Sequence, residues 1–275
     1  MDFPKMKDHF IICGWKDHMK DILLDILAVS EDIMSEQIII ISNVNPDKIS
    51  ELKEEKDLKG VNYVRGDYFS EFSLQRANVK EARKVLILSD TFESGAISEV
   101  DSKTVMTVLT IKAIAKDVYT TAELLDMKYE SYLKQAMCDE IIYSRDFSRR
   151  MIANTTAVNG MSHIVYNMLA SDQSNSKLAT AGIPEEFTGK TYGEYKSAFN
   201  VFKNSILIGI LENTGSPHRV KMEALREAQK TSDVSRLVNN LQKVKGLEVN
   251  RPFLVPPDDY VIQKHSKAIV LERIN

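Results

Sequence analysis

Three acidic residues stand directly after short apolar runs: Asp67 in "VRGDY", Asp90 in "LSD" and Glu123 in "TAEL". Carboxylates that converge at one sheet edge suit either a hard cation or hydroxyl recognition, although each taken alone also reads as a cap or turn residue. A second constellation lies in "HFIICGWKDHMKDILLDIL", residues 9–27, where an apolar strand passes through a turn at Gly14 into an amphipathic helix. This is the outline of a dinucleotide-binding turn, in which a second glycine admits the pyrophosphate to the backbone and a third lets helix and strand pack closely. Lys16 and Met19 occupy those two positions, so a dinucleotide held in the usual way is disfavoured. The helix start still aims amides and a positive dipole at the crevice, with Lys16 beside it, which suits a phosphate or carboxylate. The alternative is that Gly14 serves only the turn and Trp15 is a lid over the helix. Ser42 and Asn43 end the second strand where an acid would bind ribose hydroxyls. Both can hydrogen-bond a ribose or adenine without charge.

Catalysis finds less support. A dehydrogenase needs an acid or base within hydrogen-bond reach of its substrate, and the five histidines (9, 18, 163, 218 and 265) lie in no metal-binding or nucleophile setting. Cys13 and Cys138 have no neighbours at metal-ligand spacing and read as small buried hydrophobes.

The elements that must position these residues follow from hydrophobic period. Strands are expected at 10–13, 38–41, 61–64, 84–88, 118–122 and 140–143. Met19, Ile22, Leu23, Ile26 and Leu27 share one helical face, and Asn45 before Pro46 caps a helix running to about residue 56. A long helix is expected over about 96–115, with Val105, Met106, Val108, Leu109, Ile111 and Ile114 as its apolar face. Strands alternating with helices imply an α/β fold, a doubly wound Rossmann-like parallel sheet of six strands.

After Ser144 the rhythm changes. Two helices flank Asn159-Gly160, and their apolar positions Ile152, Val158, Met161, Ile164, Val165 and Leu169 cover either a partner subunit or a second domain. Residues 172–186 are small, polar and proline-marked and read as a linker. Strands at 205–212, 252–257 and 267–274 then suggest a small α+β C-terminal lobe, with one or two helices within 214–250 after a cap signal at Thr231/Ser232.

Of 275 residues, 43% are hydrophobic and 27% charged, a composition suited to one large or two modest globular domains. No apolar run approaches the roughly 18–20 residues needed to cross a bilayer, and the first ten residues lack a signal-like apolar core, so a cytosolic chain is expected. A net charge of −3 argues against a nucleic-acid partner.

"HFIICGW", "VRGDYFSEFSLQRANVKEARKVLILSD", "TAEL" and "PPDDYVIQKHSKAIVLE" resemble the regulator of potassium conductance (RCK) domain, and "ICGW" is most similar to versions attached to ligand-gated potassium channels. The resemblance implies an N-lobe over 1–144, crossover helices that dimerise over 145–171, and a C-lobe over 185–275 with a helical insertion at about 214–250. It implies no enzyme but a ligand-sensing gating-ring domain: homodimers assembled into an octameric ring, at the cytoplasmic face of the cell membrane, beneath a channel pore domain. A stand-alone regulatory subunit of a potassium transporter is the alternative, and an NAD-dependent oxidoreductase a more remote one. The implied effector is an adenine nucleotide (ADP, ATP or NAD), Ca2+, or both. Carried over by position, the crevice comprises Gly14, Trp15, Lys16, Asp17, Ser42, Asn43, Gly66, Asp67, Ser89, Asp90 and Glu123, with Asp90 and Glu123 the residues for a metal. Leu125 stands where calcium-gated relatives carry a further acid, and Asp90 is displaced by about two positions.

Overall fold

The four consecutive isoleucines at 38–41 are all fully buried, Ile39 and Ile41 on one face of a sheet and Ile38 and Ile40 on the other. A strand hidden on both faces needs cover on both, which is what the alternating strand and helix pattern supplies. The computed structural model describes residues 3, 5–30, 32–92, 95–169, 176–199, 205–230 and 234–273. The chain divides into two units, Met1–Ala157 and Val158–Asn275.

The first unit carries β1 (His9–Cys13), α1 (Met19–Val29), β2 (Ile38–Ser42), α2 (Pro46–Leu52), β3 (Asn62–Arg65), α3 (Glu71–Arg76), β4 (Ala82–Ile87), α4 (Ile97–Ile114), β5 (Tyr119–Leu124), α5 (Glu130–Gln135), β6 (Glu140–Tyr143) and α6 (Ser144–Ala157). Its six parallel strands run in the order β3-β2-β1-β4-β5-β6. Cys13 is in register with both Ile41 and Ile87, so the ends of β1, β2 and β4 come level where the strand order reverses. Open sheets place their ligands at that reversal. All six strands stand where the hydrophobic period places them. Asn45 accepts from the Asp47 amide at 3.1 Å with Pro46 next to it, so α2 begins as its cap signal dictates.

The face expected for α4 needs correction. Val108 and Ile111 are buried, whereas Met106 and Leu109 are about half exposed. The run "VMTVL" is apolar on both sides of the helix, and Thr104 and Thr107 can be buried because their hydroxyls donate to the Val100 and Lys103 carbonyls. A period alone cannot choose between two such faces.

His9 gives this unit a pH dependence. Burial lowers its pKa below the usual 6.5, outweighing the Ala77 carbonyl, which accepts from Nε2 at 2.8 Å, and the nearby Asp8 charge. Between the lowered folded value and 6.5 the unfolded chain binds a proton that the folded chain does not. Stability therefore rises with pH through that window and is lost as pH falls through it. His9→Gln, which keeps a donor but cannot be protonated, is expected to flatten this slope. Melting temperatures of both proteins between pH 7.5 and 5 check it, and parallel slopes would rule it out.

The second unit carries α7 (Met161–Leu169), β7 (Ser176–Gly182), α8 (Tyr192–Phe199), β8 (Ser205–Glu212), α9 (Pro217–Ala228), α10 (Val234–Lys245), β9 (Arg251–Leu254) and β10 (Lys267–Arg273). Its antiparallel sheet has the order β7-β10-β8-β9 and packs Ile210, Ala268 and Val270 against Tyr192, Tyr195 and Phe199. Gly209 lets β9 approach: a Cβ there would lie 2.4 Å from the Phe253 carbonyl oxygen. The linker expected over 172–186 is corrected for 176–182, which pair along their whole length with β10. Small residues suffice at that edge because only Ala179 and Ala181 meet the core. Residues 172–175 and the Thr231/Ser232 cap signal lie outside the described residues. Of the one or two helices expected within 214–250, two are present, α9 and α10, and Gly160, with φ +82°, breaks the chain just before α7.

Candidate functional site

The β1 turn sits at the reversal of strand order. Gly14 has φ +93°, and a Cβ there would press on the Asp90 Cβ and the Leu88 carbonyl, both at 3.2 Å. Glycine is therefore needed for Asp90 to come close. The Trp15 amide donates to Asp90 Oδ2 and the Phe92 amide to Asp90 Oδ1, each at 3.0 Å. A carboxylate of the chain itself thus lies on the turn amide where the sequence suggests a phosphate or carboxylate ligand. Trp15 is buried with Ile12, Met19 and Leu23 and packs as a lid.

Lys16 extends from the turn to β5. Its Nζ lies 2.6 Å from Glu123 Oε1, while the Ser89 amide donates to Glu123 Oε2 at 3.0 Å and the Ser89 hydroxyl to the Glu123 carbonyl at 3.1 Å. Glu123 is only 5% exposed, so an uncompensated charge there would be costly.

On the other side of the turn, Asn43 Nδ2 donates to Asp67 Oδ1 at 2.5 Å, and both side chains are exposed. Ser42 is buried and its hydroxyl accepts from the Val44 amide at 3.3 Å. The Gly66 amide donates to the Ser42 carbonyl, and a Cβ on Gly66 would lie 2.5 Å from Ser73 Oγ. Asp17 is exposed at the mouth of the turn. Of the eleven residues singled out from sequence, eight form two groups flanking β1, Lys16, Ser89, Asp90 and Glu123 toward β5 and Ser42, Asn43, Gly66 and Asp67 toward β3, while Gly14, Trp15 and Asp17 belong to the turn between them.

Sequence reasoning missed two neighbours. Lys48 Nζ lies 4.4 Å from the centre of the Phe92 ring, a cation–π contact between α2 and the loop after β4. Asp101, buried inside α4, accepts from the amides of Leu125 and Asp126 at 3.0 and 2.8 Å; burial pushes its carboxyl above the usual range, and those amides oppose the rise. An acid in mid-helix gives no sequence signal of that role, though an aromatic directly after "LSDT" could have marked Phe92. Among the described residues, no three His, Cys, Asp or Glu side chains gather to hold a metal.

Two further surfaces stand out. None of the α6 or α7 side chains is buried, and Ile152 and Ile164 are 68% and 54% exposed. Beside α1, a groove of about 510 Å³ runs over the sheet face, lined by Ile12, Ile22, Ile26, Val29, Leu86 and Ile142 among others.

The doubly wound sheet with its crevice at the β1/β4 reversal defines a Rossmann-like binding domain. A family profile described as the calcium-activated potassium channel slowpoke-like RCK domain matches residues 5–122. The chain is 27% identical over 168 residues to the calcium-gated potassium channel TvoK of Thermoplasma volcanium, covering 60% of this chain and 45% of that protein. It is 24% identical over 218 residues to the putative potassium channel protein YugO of Bacillus subtilis, covering 77% of this chain and 60% of that one. The chain thus spans about half the length of these relatives. The human SLO3 gating ring shares its fold, with a TM-score of 0.62 at 14% identity over 97% of this chain and 44% of that one. Over residues 5–122 this chain is thus similar to an RCK domain. Among the described residues, no helix is long and apolar enough to cross a membrane.

Proposed function

We propose that the chain is an effector-sensing regulatory domain of a potassium channel, working at the cytoplasmic face of the membrane by assembling with copies of itself. The observation that carries this reading is that neither α6 nor α7 has a buried side chain, in a chain whose residues 5–122 match an RCK profile. Exposed apolar helix faces of this size suit a second copy. A closed ring of dimers also needs a second contact surface, for which the exposed Met106 and Leu109 on α4 are suited. An effector then acts by binding one arrangement of the ring more tightly than another, with about 1–3 kcal/mol of coupling per site.

The effector site of this reading is the crevice at the strand ends. Asn43 and Asp67 are exposed and offer an amide and a carboxylate to the hydroxyls and base of ADP, ATP or NAD, with Gly14, Trp15, Lys16, Asp17, Ser42 and Gly66 around them. Asp90 and Glu123 are the residues for Ca2+, but their carboxylate oxygens already accept from Lys16 and from the Trp15, Ser89 and Phe92 amides. The nucleotide is therefore the effector this geometry favours.

Calorimetric titration of the full chain with ADP, ATP and NAD tests the reading. One of them is expected to bind. Asp67→Ala should weaken that binding about tenfold or more, the worth of a hydrogen bond to a charged group. Because Asp67 is exposed, the variant's melting temperature should stay near the native one. Undiminished affinity in the variant, or no heat with any nucleotide, would refute the assignment.

A further inference from the structure

We infer that Lys16 is a tethered cation: its ammonium takes the place at Glu123 that a divalent effector would need, and so sets the crevice against Ca2+. This rests on the crevice being the effector site proposed above. Three observations carry it. Glu123 is buried, and its two carboxylate oxygens are each engaged, one by Lys16 Nζ at 2.6 Å and one by the Ser89 amide at 3.0 Å. Asp90, the other carboxylate on this side of the turn, is held by the amides of Trp15 and Phe92. Among the described residues, no third metal-type side chain joins them.

A calcium ion takes six to eight oxygen ligands and would need both carboxylates turned toward it. Here Glu123 is already neutralised by an ammonium carried on the turn itself. The Lys16 side chain is 28% exposed against 7% for that of Glu123, so its flexible stem can leave toward solvent while the carboxylate stays fixed. Lys16 also occupies the position of the second glycine of a dinucleotide-binding turn. Held on Glu123, this one residue supplies the charge of a cation at the strand ends, which makes it the residue that sets the crevice against Ca2+.

Thermal unfolding of the native chain, Lys16→Met and Lys16→Met/Glu123→Gln, each in millimolar CaCl2 and in KCl of matched ionic strength, tests this. The native melting temperature should be the same in both salts. Lys16→Met strands a buried carboxylate and should melt roughly 5 °C lower in KCl, regaining most of the loss in CaCl2 because ligand bound to the folded state raises apparent stability. The double variant, with no charge left to compensate, should melt near the native temperature and ignore CaCl2. If Lys16→Met folds only when refolded in CaCl2, that is the same result in stronger form. Equal stabilisation of the native chain and Lys16→Met by CaCl2 would overturn the inference, as would a Lys16→Met protein indifferent to CaCl2. These arms contain no nucleotide, so they fail or succeed independently of the nucleotide titration.

Discussion

Lys112→Met should destabilise the first unit by about 3–5 kcal/mol, the range found when one partner of a buried ion pair is removed. Lys112 and Asp139 are each only 8% exposed, and Lys112 Nζ lies 2.5 Å from Asp139 Oδ2. The same ammonium donates to the Val118 carbonyl at 2.7 Å, and the same carboxylate oxygen accepts from the Thr120 amide and hydroxyl at 2.7 and 2.9 Å. Five groups of four residues, from the end of α4 and the starts of β5 and β6, thus meet at one point. Without the ammonium, Asp139 would keep a buried charge whose Oδ1 has no hydrogen-bond partner among the described residues. Adding Asp139→Asn should return most of the loss, because the amide oxygen still accepts from Thr120 while the charge is gone. Urea unfolding of the single and double variants measures both. A loss below about 1 kcal/mol for Lys112→Met would show that the pair does not bear on stability. The consequence for function is positional, since β5 carries Glu123 and its place in the sheet is set partly by this contact.

What was legible in the sequence was whatever depends on neighbours along the chain. The isoleucines of β2, the Asn45-Pro46 start of α2 and the glycine break before α7 follow from local pattern, and each stands where the residues put it. That Asp67 and Asp90 follow strands was legible too, whereas Glu123, expected after the fifth strand, lies within β5. The state of these side chains was not legible. Lys16 meets Glu123 across 107 positions and the Trp15 amide meets Asp90 across 75, and no period records which charge a distant strand will bring. From the turn alone, Lys16 reads as a cation beside a ligand's anion; that its ammonium also lies 2.6 Å from the Glu123 carboxylate is seen only in the fold. The edge strand β7 was hidden for a different reason: small polar residues that cover one face only have the composition of a linker.

Ile164→Asp should turn a self-associated protein into a monomer without unfolding it. Ile164 is 54% exposed within the single chain, so a charge there costs the isolated fold little. In an isologous dimer the same substitution enters the interface twice. Ile164, Tyr166 and Leu169 on α7 are all more than half exposed, and so, on α6, are Phe147 and Ile152; each helix by itself presents large apolar side chains to solvent. Burying a side chain of this size is worth about 1.5–3 kcal/mol, and placing a carboxylate there instead should weaken association by at least a hundredfold. Circular dichroism and melting temperature should match the native protein, so loss of assembly can be told apart from loss of fold. The central claim, a regulatory domain that works by assembling with itself, is tested most directly by light scattering on the native chain at tens of micromolar beside this variant. A native mass of two chains or more with a monomeric Ile164→Asp is the expected result; a monomeric native chain, or an assembly untouched by the substitution, would contradict it.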